Sequence, residues 1–224
     1  DLEMMIEKMW ERPVRFFGYE TDNTVDTLIG TGTGNGPRAD QGYTEIGGET
    51  KPSLAIQLEA FLNDPEGTSD GSTVDACDIV AHSMGGLVAR NYIRRGITGE
   101  ADPHKVRRLV TMGTPNYGGL FADTVVGGAL LNNQAEDLEY GAEVTWKLHR
   151  DWSNPAYRDS LPKCLTIVGT NDVALGQYNQ GDVVVTCSSG SLEGLGFPVY
   201  YVPLGHSGAF SPIGVDGLAV INDD

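Results

Sequence analysis

Residues Asp78 to Ile93 read DIVAHSMGGLVARNYI. An apolar run suited to a buried strand meets Ser83, and a helical pattern begins at once behind it. Ala81-His82-Ser83-Met84-Gly85 fits the small-x-Ser-x-Gly pattern of a nucleophile elbow. In such a turn strand and helix pass so closely that the positions two before and two after the serine must be small. The turn lifts the Ser83 hydroxyl above the end of a sheet and aims the backbone N–H of Met84 at a developing oxyanion. As a bare pattern this is weak; its placement between a strand and a helix gives it weight. The chemistry it points to is acyl transfer by a serine nucleophile.

A serine hydroxyl attacks poorly until a base takes its proton. The chain offers four histidines. His82 is next to the serine, where its ring should turn away from the hydroxyl, and reads as packing or pocket lining. His104, in GEADPHK, and His149, in a charged segment, read as solvent-exposed. His206 lies in VYYVPLGHSGAF, just after the last strand. Loops that follow the strands of an open parallel sheet line its ligand crevice, which makes His206 the base. A carboxylate must hold that imidazole in the right tautomer. With the chain order serine, acid, histidine, it lies between Ser83 and His206. Asp172 in TIVGTNDVAL and Asp182 in GDVVVTCSS compete, and spacing alone does not separate them.

The elements that must position these groups alternate. Strands are expected at 14–19, 74–81, 106–112, 165–168 and 198–202. Helices are expected at the start of the chain, from Ser53 (which can cap SLAIQLEAFL), over 84–95 and as a closing element over 213–221. Residues 21–52 read mostly as loop, and 115–162 as helical pieces without a clear strand. Strand–helix alternation predicts an α/β fold, a mostly parallel sheet with helices on both faces. The glycines from Gly30 to Gly36 lack the strand-to-helix entry of a dinucleotide site.

At 224 residues the chain has the length of one domain with a sizeable core. The formal charge of −16 excludes a basic stripe that would neutralise nucleic-acid phosphates, and disfavours electrostatic binding to an anionic membrane. No apolar run of 18 residues suggests a transmembrane helix. Cys77, Cys164 and Cys187 include no C-x-x-C pair, which argues against a metal site and favours one disulfide plus one free thiol. No cofactor is expected, and no clustered ligand motif supports a structural calcium. Trp10, Trp146 and Trp152 read as packing residues.

Together, DIVAHSMGGLVARNYI, VRRLVTMGTPNYGG, GDVVVTCSS and GHSG resemble bacterial lipases and esterases of the α/β-hydrolase fold and their GPI-inositol deacylase-like relatives. The resemblance runs from about Val14 to the C-terminus with a divergent middle. It implies a serine ester hydrolase acting on acyl-ester or lipid substrates, with transient contact at a lipid interface and export from the cell. It favours Asp182 as the acid, with Asp172 in reserve. It also implies one domain over 1–224, with 117–162 as a lid insertion in which AEDLEYGAEVTWKL covers the acyl pocket. Members of the family carry a strand ending in His-Gly ahead of the first helix, whose loop donates the second oxyanion N–H; nothing like it precedes DLEMMIEKMW. The expectation is a gap between the VRFFGY and DIVAHS strands, or a strand supplied from outside this chain. Other readings of the same residues are an acyltransferase or thioesterase, an amidase or peptidase, or a non-catalytic binding module.

Overall fold

The computed structural model describes residues 14–17, 43–46, 49–64, 74–119, 137–170, 181–182, 185–203, 205–206 and 218–222. Its frame is a six-stranded sheet. The strands are β1 (Val14–Phe17), β4 (Cys77–His82), β5 (Val106–Met112), β6 (Lys163–Gly169), β7 (Val199–Val202) and β8 (Leu218–Asn222), in the spatial order β1-β8-β4-β5-β6-β7. Strands β4 to β7 run parallel to one another, with His82 beside Met112 and Met112 beside Ile167. A separate hairpin pairs β2 (Tyr43–Ile46) with β3 (Glu49–Pro52), inside a stretch whose composition reads as loop.

The closing helix expected over 213–221 is corrected. Its described part, Leu218–Asn222, is strand β8, which lies antiparallel between β1 and β4. Val14 pairs with Ile221, and Ala81 with Leu218. A short apolar run such as LAVI fits a buried strand as well as a helix, and periodicity cannot separate the two. The gap decides it. Without β8, the facing edges of β1 and β4 would carry unpaired N–H and C=O groups, so pairing there satisfies two strands at once. The expected hole is therefore filled within this chain.

Helices α1 (Leu54–Asn63), α2 (Met84–Thr98) and α3 (Glu143–Trp152) pack side by side, α2 between the others and against β4 and β5. Helix α1 starts where expected, with the Ser53 hydroxyl accepting from the Ile56 N–H at 3.4 Å. Leu54, Leu58 and Leu62 recur at helical spacing on its buried face. Helix α2 buries Leu87, Val88, Ala89 and Ile93, and ends on Gly99 in the left-handed conformation. Each fully buried aliphatic side chain contributes about 1.5–3 kcal/mol relative to exposure.

Residues 120–136 of the expected lid, with Leu120, Phe121, Val125, Leu130 and Leu131, lie outside the described residues. Helix α3, from the same insertion, has Val144, Leu148 and Trp152 inside the core cluster. In this conformation it is part of the domain's frame. Among the described residues no helix is long and apolar enough to cross a membrane.

Candidate active site

Ser83 is the first residue after β4 and the residue before α2. Its φ is 51°, and among the described residues it is the only non-glycine at positive φ. A serine at a helix N-cap ordinarily turns its hydroxyl back onto the first turn. Here no side-chain capping bond forms, so the strained backbone directs Oγ away from the helix. The turn is held by Ser83 N–H donating to Met112 C=O at 3.0 Å and Gly86 N–H donating to Ser83 C=O at 3.1 Å. Ala81 is fully buried behind it. The N–H of Met84 belongs to the first helical turn, whose donors have no acceptor within the helix.

His206 faces that hydroxyl. Its Nε2 lies 3.0 Å from Ser83 Oγ, and its Nδ1 lies 2.8 Å from Asp182 Oδ2. A carboxylate only accepts, so Nδ1 carries the proton and Nε2 is left to accept from the serine. Asp182 is 1% exposed, and its other oxygen accepts the Val185 N–H at 2.7 Å. Its backbone is pinned too: its N–H donates to Val185 C=O at 3.1 Å, and its C=O accepts the His206 N–H at 2.8 Å. The structure thus brings Ser83, His206 and Asp182 into one hydrogen-bonded row. Asp172 lies outside the described residues.

Gly113, at the end of β5, makes the row possible. Its φ is 54°, and a Cβ there would sit 2.8 Å from Asp182 Oδ2 and 3.1 Å from His206 Nδ1. Glycine takes that backbone without strain and leaves the pair its space. On the other side of the loop, a Cβ on Gly86 would run into the Thr114 side chain, so β5's loop and α2 meet without a gap.

A buried polar chain ties α2 to the segment that follows Asp182. Arg90, fully buried, donates from Nη1 to Asn116 Oδ1 at 2.8 Å, and Asn116 Nδ2 donates to Gly190 C=O at 2.8 Å. Ser189 Oγ accepts the Tyr117 N–H and bonds to Gly118 C=O. Burial pulls the Arg90 pKa down to about 10, and its guanidinium lies 4.6 Å over the Trp152 ring. Sequence reading missed Arg90, Asn116 and Gly113. Arg90 sits in line with the buried face of α2, which was the available signal.

His82 is buried, as expected of packing, and its Nε2 lies 3.2 Å from the His206 carbonyl. His104 is corrected: it is half-buried, with Nε2 donating to Ser160 C=O at 2.8 Å and Nδ1 accepting the Val106 N–H at 3.2 Å. His149 is also only partly exposed, with Nδ1 3.3 Å from the Tyr117 hydroxyl. The expected disulfide is absent; all three cysteines are free. Burial pushes the Cys77 and Cys164 thiols up to about 12, leaving them inert at neutral pH. Trp152 is fully buried as expected, whereas Trp146 is 64% exposed, with its ring edge-on to His149 at 6.4 Å between centroids. Trp10 lies outside the described residues. Two clefts flank Tyr117. One, of about 420 Å³, is lined in part by Cys187, Ser188, Ser191 and Tyr201; the other, of about 160 Å³, by Thr145, Trp146 and His149. Among the described residues no three His, Cys, Asp or Glu side chains are grouped to hold a metal ion.

The family model that matches, over residues 57–139 and so less than half of the chain, is described only as a domain of unknown function, DUF7379. No curated protein matches the sequence. The mature Bacillus licheniformis lipase BlEst2 is similar at 19% identity and a TM-score of 0.46, over 68% of this chain and 62% of that one. Its propeptide form gives 20% identity and a TM-score of 0.47, over 68% and 34%. Phospholipase PlaB from Legionella pneumophila, in complex with thio-NAD, gives 16% and 0.46, over 62% and 32%. The chain spans about a third of PlaB. At these identities and TM-scores the functional reading rests on the site's own geometry.

Proposed function

We propose that the protein is a serine carboxylic-ester hydrolase of the α/β-hydrolase type that acts on lipid or other acyl esters through an acyl-enzyme. The observation that supports this is the row Ser83 Oγ, His206 Nε2, His206 Nδ1 and Asp182 Oδ2, at 3.0 and 2.8 Å, built on a strained serine that does not cap its own helix.

Ser83 Oγ attacks the ester carbonyl carbon while His206 Nε2 takes its proton. Negative charge moves onto the carbonyl oxygen, and the Met84 N–H stabilises it. Asp182 holds the imidazolium that forms and remains ionised. The C–O bond of the ester then breaks as His206 gives its proton to the leaving alcohol. Water, deprotonated by the same imidazole, attacks the acyl carbon, and the Ser83 Oγ–acyl bond breaks as His206 returns the proton to Oγ, releasing the acid. Buried Asp182 and the fixed tautomer make His206 an acceptor towards serine before substrate arrives, so little reorganisation is left for the reaction itself.

The test is hydrolysis of p-nitrophenyl butyrate and palmitate by the wild-type chain and by Ser83→Ala. Turnover should fall by about 10⁶-fold in the variant. Equal turnover by the two proteins would end the reading. The butyrate-to-palmitate ratio places the enzyme between esterase and lipase.

A further inference from the structure

We propose that His82 is a positioning residue for His206, a tether that anchors the base to the turn carrying the nucleophile. This rests on reading His206 as the base. His82 is the last residue of β4 and 6% exposed. Its Nε2 lies 3.2 Å from the backbone carbonyl of His206. A carbonyl only accepts, so His82 carries its proton on Nε2 and donates it. The two rings pack at 4.9 Å between centroids, tilted by 41°.

The tether completes a set. The His206 N–H is held by Asp182 C=O at 2.8 Å, its carbonyl by His82, and its two ring nitrogens by Asp182 and Ser83. The base is thus fixed on its backbone from the acid's side and from the nucleophile's side. It needs this, because Gly205 directly precedes it, and glycine adds conformational freedom to the chain at that point. A catalytic side chain must be held to within about 0.5 Å of its productive place, and a misplacement of 1 Å can cost roughly 10²-fold in rate. His82 cannot itself serve as the base through Nε2, which is committed to the carbonyl. It moves no proton; it sets where His206 stands.

The experiment compares wild type, His82→Phe, His82→Gln and His206→Ala. It reads the second-order rate of Ser83 labelling by a fluorophosphonate, kcat and KM on p-nitrophenyl butyrate, and the thermal melt. Phenylalanine keeps the ring and loses the donor; glutamine keeps an amide N–H at similar reach. His82→Phe should label and turn over about 10- to 100-fold more slowly with KM within about twofold, and His82→Gln should recover to within about fivefold of wild type. A wild-type rate in His82→Phe overturns the proposal. So does a His82→Gln as slow as His82→Phe with an unchanged melt. If His82→Phe does not fold, His82→Gln decides alone: near-wild-type labelling supports the tether, and loss of labelling overturns it. Should His206→Ala label like wild type, the base itself is misassigned; should it be inert while His82→Phe is unimpaired, only the tether fails.

Discussion

Replacing Asp182 by asparagine separates the acid's chemistry from its place in the fold. Asp182 accepts from the Val185 N–H at 2.7 Å and from His206 Nδ1 at 2.8 Å, in a position 1% exposed. Asparagine has one oxygen for these two donors. With its amide nitrogen towards Val185, two donors would face each other in a buried site, at a cost of about 1–3 kcal/mol. With the nitrogen towards His206, the imidazole avoids that cost by moving its proton to Nε2. The second arrangement wins, because a tautomer can change and a backbone N–H cannot. The proton then points at Ser83 Oγ, and the base can no longer accept. We expect kcat to fall about 10⁴-fold, which corresponds to about 5 kcal/mol in activation free energy, with the melting temperature nearly unchanged. Asp172→Asn, measured beside it on p-nitrophenyl butyrate, should stay within about threefold of wild type. An Asp182→Asn enzyme keeping more than a tenth of wild-type kcat at an equal melt would refute the reasoning, and a large loss in Asp172→Asn would move the acid there.

Gly113→Ala should cut kcat by about 10²-fold or more while destabilising the fold by only about 1–2 kcal/mol, because its Cβ meets the Asp182–His206 pair at a φ of 54°; steady-state kinetics and a urea melt read the two effects apart. Asn116→Ala takes the hydrogen bond from buried Arg90 and leaves Gly190 C=O without its donor, so urea unfolding should show a loss of about 2–3 kcal/mol. Burial holds the His104 pKa below the ordinary 6.5, with both nitrogens bonded as a neutral ring. The unfolded chain therefore binds that proton more readily, and stability is lost as pH falls below 6.5 towards the folded-state value. Thermal melts between neutral pH and pH 5 should show this slope, and His104→Gln should flatten it.

The parts of the fold legible in the sequence are those set by local pattern. Strands β4 to β7 and helices α1 and α2 follow from apolar periodicity and the Ser53 cap, and the elbow from small residues around Ser83. The loops after successive parallel strands converge at one end of a sheet, which is why Ser83, Asp182 and His206, distant in sequence, meet there. What stayed hidden depends on partners. Strand β8 exists because β1 and β4 leave a slot between them, a fact no local window contains. Arg90 lies in line with the buried face of α2, but its partners Asn116 and Trp152 are remote in sequence. His104 reads as a loop residue because its acceptor, Ser160, is remote in sequence. Spacing does not separate Asp172 from Asp182, and the resemblance favours Asp182; the contact Asp182 makes with His206 is one that no local window contains.

The most direct test of the central claim is the mass of the covalent intermediate. The wild-type chain is mixed with p-nitrophenyl butyrate, quenched in acid within the first turnovers, digested and weighed. The account predicts a butyryl group on the peptide containing Ser83, and none on that peptide in Ser83→Ala. An unmodified Ser83 peptide from an enzyme that is turning over, or a butyryl group carried by another residue, would contradict it.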